Sequence, residues 1–309
     1  MERSLALCAL SALFALSTLF ALSSLLACHD NPPAAIITGP PALASEQRIS
    51  FSSTRDGNLE IYTMKADGSD ARRLTNDAAA DHNADWSPDG TRLAFMGYRD
   101  GDYEIYIINA DGTGLRQLTH NTAHDGFPRW SPDGLQIMFT SLRGGSFEVY
   151  VMSVFGGGER QLTPRPYDDI GGAWSPDGSK IAFSSGRDGN MEIYVMRADG
   201  TNPVRLTNHV AEDGSRLAWS PDGTRIAFSS FRDDNDEIYL INADGTGLTR
   251  LTNDPAVDKY PAWSPDGRQV AFTSSRDGNS EIYLVNVDGT GLTRLTNNPA
   301  VDFLDAWRR

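Results

Sequence analysis

The sequence predicts an all-β chain folded as a six-bladed β-propeller, and three observations carry that prediction. The six tryptophans, Trp86, Trp130, Trp174, Trp219, Trp263 and Trp307, fall at intervals of 44, 44, 45, 44 and 44 residues. Self-similarity at such a period marks a solenoid, an array or a propeller. Each repeat then holds four short β-type runs separated by turn signals, with no helical period long enough to compete. Finally, the first copy lacks its opening run and the last copy ends on one, so the two ends together make a whole repeat.

The unit that begins at Asp258 shows the elements in order. Strands are predicted at Pro261 to Trp263 (a), Gln269 to Thr273 (b), Glu281 to Val285 (c) and Thr293 to Thr296 (d). Ser264-Pro265-Asp266-Gly267 suits a type I turn: proline presets φ, aspartate tolerates the next position and glycine takes a left-handed one. Val287-Asp288-Gly289-Thr290 reads as an Asp-Gly hairpin between c and d. Strand b alternates large, small, large, as in Ile49-Ser50-Phe51, Leu93-Ala94-Phe95, Ile181-Ala182-Phe183 and Ile226-Ala227-Phe228. The small residue lets a neighbouring sheet approach closely. A lone four-stranded sheet cannot bury both faces, and radial stacking of blades solves this with short, protected edges.

Closure follows from the ends. The first copy opens at strand b (Arg48 to Ser53), and the last closes on strand a (Phe303 to Trp307). An open solenoid would need polar capping repeats, and the sequence offers none. Strands a and c then run down and b and d up. The a–b and c–d turns share a lower face with both termini; the d–a and b–c loops share an upper one. The third copy departs most, with Arg143-Gly144-Gly145 for Arg-Asp-Gly, Val154-Phe155-Gly156-Gly157 for Ala-Asp-Gly-Thr, and Pro164-Arg165-Pro166-Tyr167 before its next strand.

Residues 1–27 are expected to be a lipoprotein signal peptide, 28–45 a proline-rich tether and 46–309 the propeller. The apolar stretch Leu5 to Leu22 is also long enough to span a membrane, but the small residues before Cys28 favour cleavage and lipidation at that cysteine. Cys8 would leave with the signal, so the mature chain could form no internal disulfide. Pro32, Pro33, Pro40 and Pro41 make the tether semi-rigid. The net charge of −14 argues against nucleic acid, which needs a basic footprint. Part of that acid is turn chemistry, at Asp89, Asp133, Asp177, Asp222 and Asp266.

Trp-Ser-Pro-Asp-Gly, Ile-Ala-Phe-Ser-Ser, Arg-Asp-Gly-Asn-x-Glu-Ile-Tyr, Ala-Asp-Gly-Thr and Arg-Leu-Thr, recurring across residues 46–309, resemble the WD40-like repeat of TolB-type propellers. The resemblance implies an extracytoplasmic protein that binds an envelope protein or a peptidoglycan-associated ligand. TolB pairs its propeller with an N-terminal α/β domain; here a lipid anchor on the periplasmic face of the outer membrane is expected instead. His29, after the cysteine, is compatible with that sorting.

Comparison among the copies separates positions that serve the blade from positions free to serve a ligand. Asp81, Asp125, Asp169, Asp213, Asp258 and Asp302 each lie seven residues after the leucine of a Leu-Thr pair, at the start of strand a. They read either as caps of the d–a loops through backbone N–H groups or as a carboxylate ring at the upper rim. Arg and Glu, as in Arg55 with Glu60 or Arg276 with Glu281, read as a b–c ion pair of under ~1 kcal/mol. After the aspartates the copies diverge: His82, Phe127, Arg216 and Tyr260 are candidate rim residues, of types enriched at binding hot spots. No Gly-x-Ser-x-Gly occurs. The expected function is therefore a non-catalytic, monomeric binding module with no cofactor. The alternative is a metal-dependent polysaccharide lyase or hydrolase using His82, His120 and His124 at the upper rim.

Overall fold

The computed structural model describes residues 47–99, 101–164 and 166–308, the side chain of Ser215 excepted. Cys28, the signal segment 1–27 and the tether 28–45 lie outside the described residues. Within the described residues the chain forms six four-stranded antiparallel sheets, arranged as a six-bladed propeller. The second blade is representative, with strands a Asp81–Trp86, b Arg92–Tyr98, c Tyr103–Asn109 and d Arg116–Gln117.

The ring closes as the sequence predicts. Strand Asp302–Trp307 pairs antiparallel with Arg48–Ser53, Ile49 facing Trp307 and Ser53 facing Asp302. The Arg308 N–H donates to the Arg48 carbonyl at 2.8 Å, and the Ser52 hydroxyl donates to Asp305 at 2.6 Å. Both ends of the closing pair therefore lie on the face of the a–b turns.

Six hydrophobic clusters form among the described residues, and each draws on two neighbouring blades. Trp130 on strand a of the third blade, for example, packs with Ala94, Ile105 and Ile107 of the second. Strand b explains why: its large and small residues alike are fully buried, Phe51, Phe95, Ala94 and Ala227 all at 0% exposure. Phe and Tyr side chains stack across b and c, with Phe51 and Tyr62 ring centres 5.4 Å apart. The prolines of the Ser-Pro-Asp-Gly turns pack beneath the next blade, where Gly134, at φ 71°, leaves just enough room for Pro88. The last copy has no such proline; Arg308 fills the place against Gly90 and lies over Trp86.

Two boundaries differ from the sequence reading. Strand a begins three residues earlier, at Asp258 in the last full blade, because a bulge separates Lys259 from Ala262. Strand d is short, pairing over two residues, Thr293–Arg294. A bulge keeps the polar start of strand a in the ladder although its side chains break the alternation expected of a strand.

Candidate functional site: the central channel

The six rim aspartates do not form an open ring of carboxylates. Each is fully buried, at 0% exposure, and each meets the arginine of the following b–c loop. The pairs are Asp81 with Arg99, Asp125 with Arg143, Asp169 with Arg187, Asp213 with Arg232, Asp258 with Arg276 and, across the closure, Asp302 with Arg55. Arg55 and Arg232 each donate to both carboxylate oxygens, at 2.8–2.9 Å and 2.6 Å. The same guanidinium lies over the blade's Phe and Tyr rings; Arg276 stands 5.5 Å from Phe272 and 4.9 Å from Tyr283. Burial pushes Asp81 and Asp258 up to about 6 although arginine opposes it.

The arginine of the repeat therefore does not pair with the glutamate that follows it. That glutamate turns to strand d: Glu60 accepts from Arg73 at 2.7 Å, Thr75 at 2.5 Å and the Asp77 N–H at 2.8 Å. Capping of the d–a loop, expected of the aspartate, is carried by the glutamate. The signal was in the copies: aspartate and arginine stand 18 residues apart in four of them, Asp81 with Arg99 and Asp258 with Arg276 among them, and both types are constant.

The variable residues after the aspartates divide between mouth and interior. Asn83, Phe127 and Tyr260 occupy the bulge of strand a with φ of 60°, 55° and 59°, a left-handed conformation rare for bulky residues; Gly171 takes the same place in the fourth blade at φ 65°. All three are half-buried. Tyr260 meets Phe303 of the closing strand edge to face at 6.3 Å.

Arg216 is no rim residue. The fifth blade carries one extra residue before its tryptophan, so Arg216 enters the channel and is buried at 4% exposure. It passes Tyr260, 5.1 Å from the ring centre, and reaches the first blade, donating to the Leu304 carbonyl at 2.5 Å and to Asp305 Oδ1 at 3.2 Å. Burial pushes Arg216 down to about 10 and raises the Asp305 carboxyl. His82 is pushed down to about 4 by burial and by the charge of Arg216, so its ring is neutral at physiological pH. Asp305, at one end of this bridge, also lines a cavity of about 350 Å³ on the side of the a–b turns, walled by residues from all six blades.

The histidines do not converge. The His82 and His124 rings flank Tyr103, and His124 Nδ1 accepts the Tyr103 N–H at 3.2 Å; His120 is exposed. Among the described residues no three His, Cys, Asp or Glu are disposed to hold a metal ion. The channel residues Asp85, Arg129 and Asp305 escaped the sequence reading. At the position before the tryptophan, Asp85 and Arg129 break a run of alanine, at Ala173, Ala218, Ala262 and Ala306, and that contrast could have found them.

The TolB beta propeller domain matches residues 84–169, 158–230 and 214–307. The chain belongs to this family. TolB from Acinetobacter baumannii is similar in structure, with a TM-score of 0.75, 22% identity, and 88% of this chain and 68% of that one covered. A putative TolB from Agrobacterium tumefaciens gives a TM-score of 0.67 at 23% identity, over 84% of this chain and 92% of that one. An oligogalacturonate lyase in complex with manganese gives 0.58 at 15% identity, over 82% and 74%. At these identities the likeness concerns the fold. Among curated proteins none matches the sequence.

Proposed function

We propose that this TolB-family propeller is a non-catalytic binding module of the cell envelope, anchored through lipid at Cys28 and taking a protein or peptidoglycan-associated partner at its upper mouth. The observation that carries this reading is the pair Phe127 and Tyr260. Both are half-buried aromatic residues held in a left-handed bulge that glycine occupies in the fourth blade. Such backbone costs on the order of 1 kcal/mol or more, and residues of this kind cluster at ligand clamps. Lys259, next to Tyr260 in the chain, and Phe303, edge to face with it, are half-buried as well and would add to this surface. The buried aspartates would act as the frame of that mouth, positioning the start of each strand a, and Arg216 as its floor.

The competing reading, a metal-dependent polysaccharide lyase or hydrolase, needs His82, His120 and His124 together; the observed positions give it no support of their own. Crosslinking capture from envelope membranes tests the proposal. Phe127→Gly relieves the left-handed strain, so its melting temperature should stay at or above that of the parent, while partner yield falls at least several-fold. Undiminished yield would refute the upper mouth. Cys28→Ala should move the protein from the membrane to the soluble fraction.

A further inference from the structure

The lower cavity lies on the side of the a–b turns, and its walls fall into three zones. At the level of the tryptophans, four blades offer alanine and two adjacent blades offer charge. Asp85 is engaged, its Oδ2 accepting the Trp130 N–H at 2.8 Å. Arg129 is half-buried and its described hydrogen bond runs from Nη1 to the neighbouring Pro128 carbonyl at 2.9 Å. Its charge also acts on the Asp305 carboxyl, but no salt bridge within 4 Å holds it among the described residues, so most of its five N–H donors remain for a ligand. Next to Leu217 of the lining, the Arg216 Nε–H is buried and has no acceptor among the described residues.

Around that polar end the wall is apolar, built from five of the six tryptophans and the prolines of the Ser-Pro-Asp-Gly turns. Outside it stands an acidic collar, the exposed turn aspartates. The hydroxyls of Ser131, Ser220 and Ser264 hold Asp133, Asp222 and Asp266 below the usual carboxylate range, so the collar stays ionised at neutral pH.

We propose that this cavity binds the free C-terminus of a polypeptide. Its carboxylate would meet Arg129, in the fork geometry that suits guanidinium and carboxylate. Its last apolar residues would lie against tryptophan and proline, and a basic residue just upstream would meet the collar. A chain end fits better than a loop because a backbone terminus brings its carboxylate and its last apolar residues together, as Arg129 and the tryptophan and proline wall require. The volume of about 350 Å³ is that of a small ligand pocket.

The test uses acetyl-Lys-Ala-Leu-Leu with a free carboxylate and the same peptide as its C-terminal amide. Each is titrated into the purified chain and followed by tryptophan fluorescence and calorimetry. The acid is expected to bind at least about tenfold tighter than the amide, the effect of one charge-assisted fork. Arg129→Met should reduce the acid to the affinity of the amide without shifting the melting temperature. If Arg129→Met fails to fold, Arg129→Lys, which keeps the charge, should weaken the acid several-fold. Equal binding of acid and amide, a preference that survives the Arg129 variant, or no saturable binding of the acid at millimolar concentration would each overturn the proposal. Phe127→Gly should leave peptide binding unchanged, so failure here and failure at the upper mouth are separate results.

Discussion

Two rings of ion pairs run round the propeller, and they tolerate change very differently. In the inner ring aspartate meets arginine in all six blades. In the outer ring glutamate meets arginine in four, at Glu60, Glu192, Glu237 and Glu281, while the second and third blades carry Gln117 and Gln161 instead. The contacts explain the contrast. An outer arginine donates its Nε–H to a threonine carbonyl, as Arg250 does to Thr252 at 2.8 Å, and glutamine can do that too: Gln117 reaches the Thr119 carbonyl at 2.9 Å and Gln161 that of Thr163 at 2.7 Å. The carboxylates of both rings are fully buried, but an outer glutamate also accepts from a threonine hydroxyl and a backbone N–H, as Glu237 does from Thr252 and Asp254. An inner arginine instead serves a serine hydroxyl and two aromatic faces besides its carboxylate, as Arg276 does with Ser274, Phe272, Tyr283 and Asp258. Only a planar cation of that reach does all of this.

The comparison breaks most sharply at Arg276. Arg276→Gln strands the Asp258 carboxylate in the interior and should cost about 3 kcal/mol in urea unfolding at pH 7, as breaking a buried pair does. A cost below ~1 kcal/mol would mean that the inner ring is no more demanding than the outer. The next effect is a pH dependence. Without an arginine partner, burial pushes the Glu104 carboxyl up to about 7, against hydrogen bonds from Thr119 and the Asn121 N–H and with Asp125 and Asp102 adding to the rise. The folded state then binds this proton more tightly than the unfolded state. Its contribution is complete below about pH 4.5 and is lost as pH rises through about 7. Glu104→Gln should match the parent near pH 4.5 and exceed its stability by about 2 kcal/mol at pH 8; parallel stability curves would show that Glu104 does not titrate in this range.

Smaller effects sharpen the outer ring. Arg250→Gln copies what two blades already carry and should cost only about 1 kcal/mol at pH 7, since the Arg250 side chain is 28% exposed. Gln117→Arg supplies the missing cation and should add up to about 1 kcal/mol at pH 8 and less at pH 5, where Glu104 is protonated. Thermal or urea unfolding at the two pH values checks both.

How far the sequence could be read depends on whether an interaction is local. The blades, their turns and the closing of the ring were legible because tryptophan, Ser-Pro-Asp-Gly and the large-small-large strand repeat six times at one spacing. Strand a was drawn too short, since a bulge with Asn83, Phe127 or Tyr260 in left-handed backbone leaves no periodic trace. The ion pairs were misassigned because proximity along the chain joined Arg55 to Glu60, whereas the sheet carries Arg55 to Asp302 at the far end of the chain. Arg216 looked like a rim residue, and the single inserted residue in its strand turned it inward.

By itself the sequence determined the β-propeller, its six blades and its closure, because short-range turn chemistry and alternating burial act within each copy and leave few ways to cover the sheets. Only the tertiary structure decided which charges are buried together and what the channel holds. Six strands meet there from copies 44 or 45 residues apart, and the field at Arg216, Asp305 or Arg129 depends on side chains that no local pattern brings into contact.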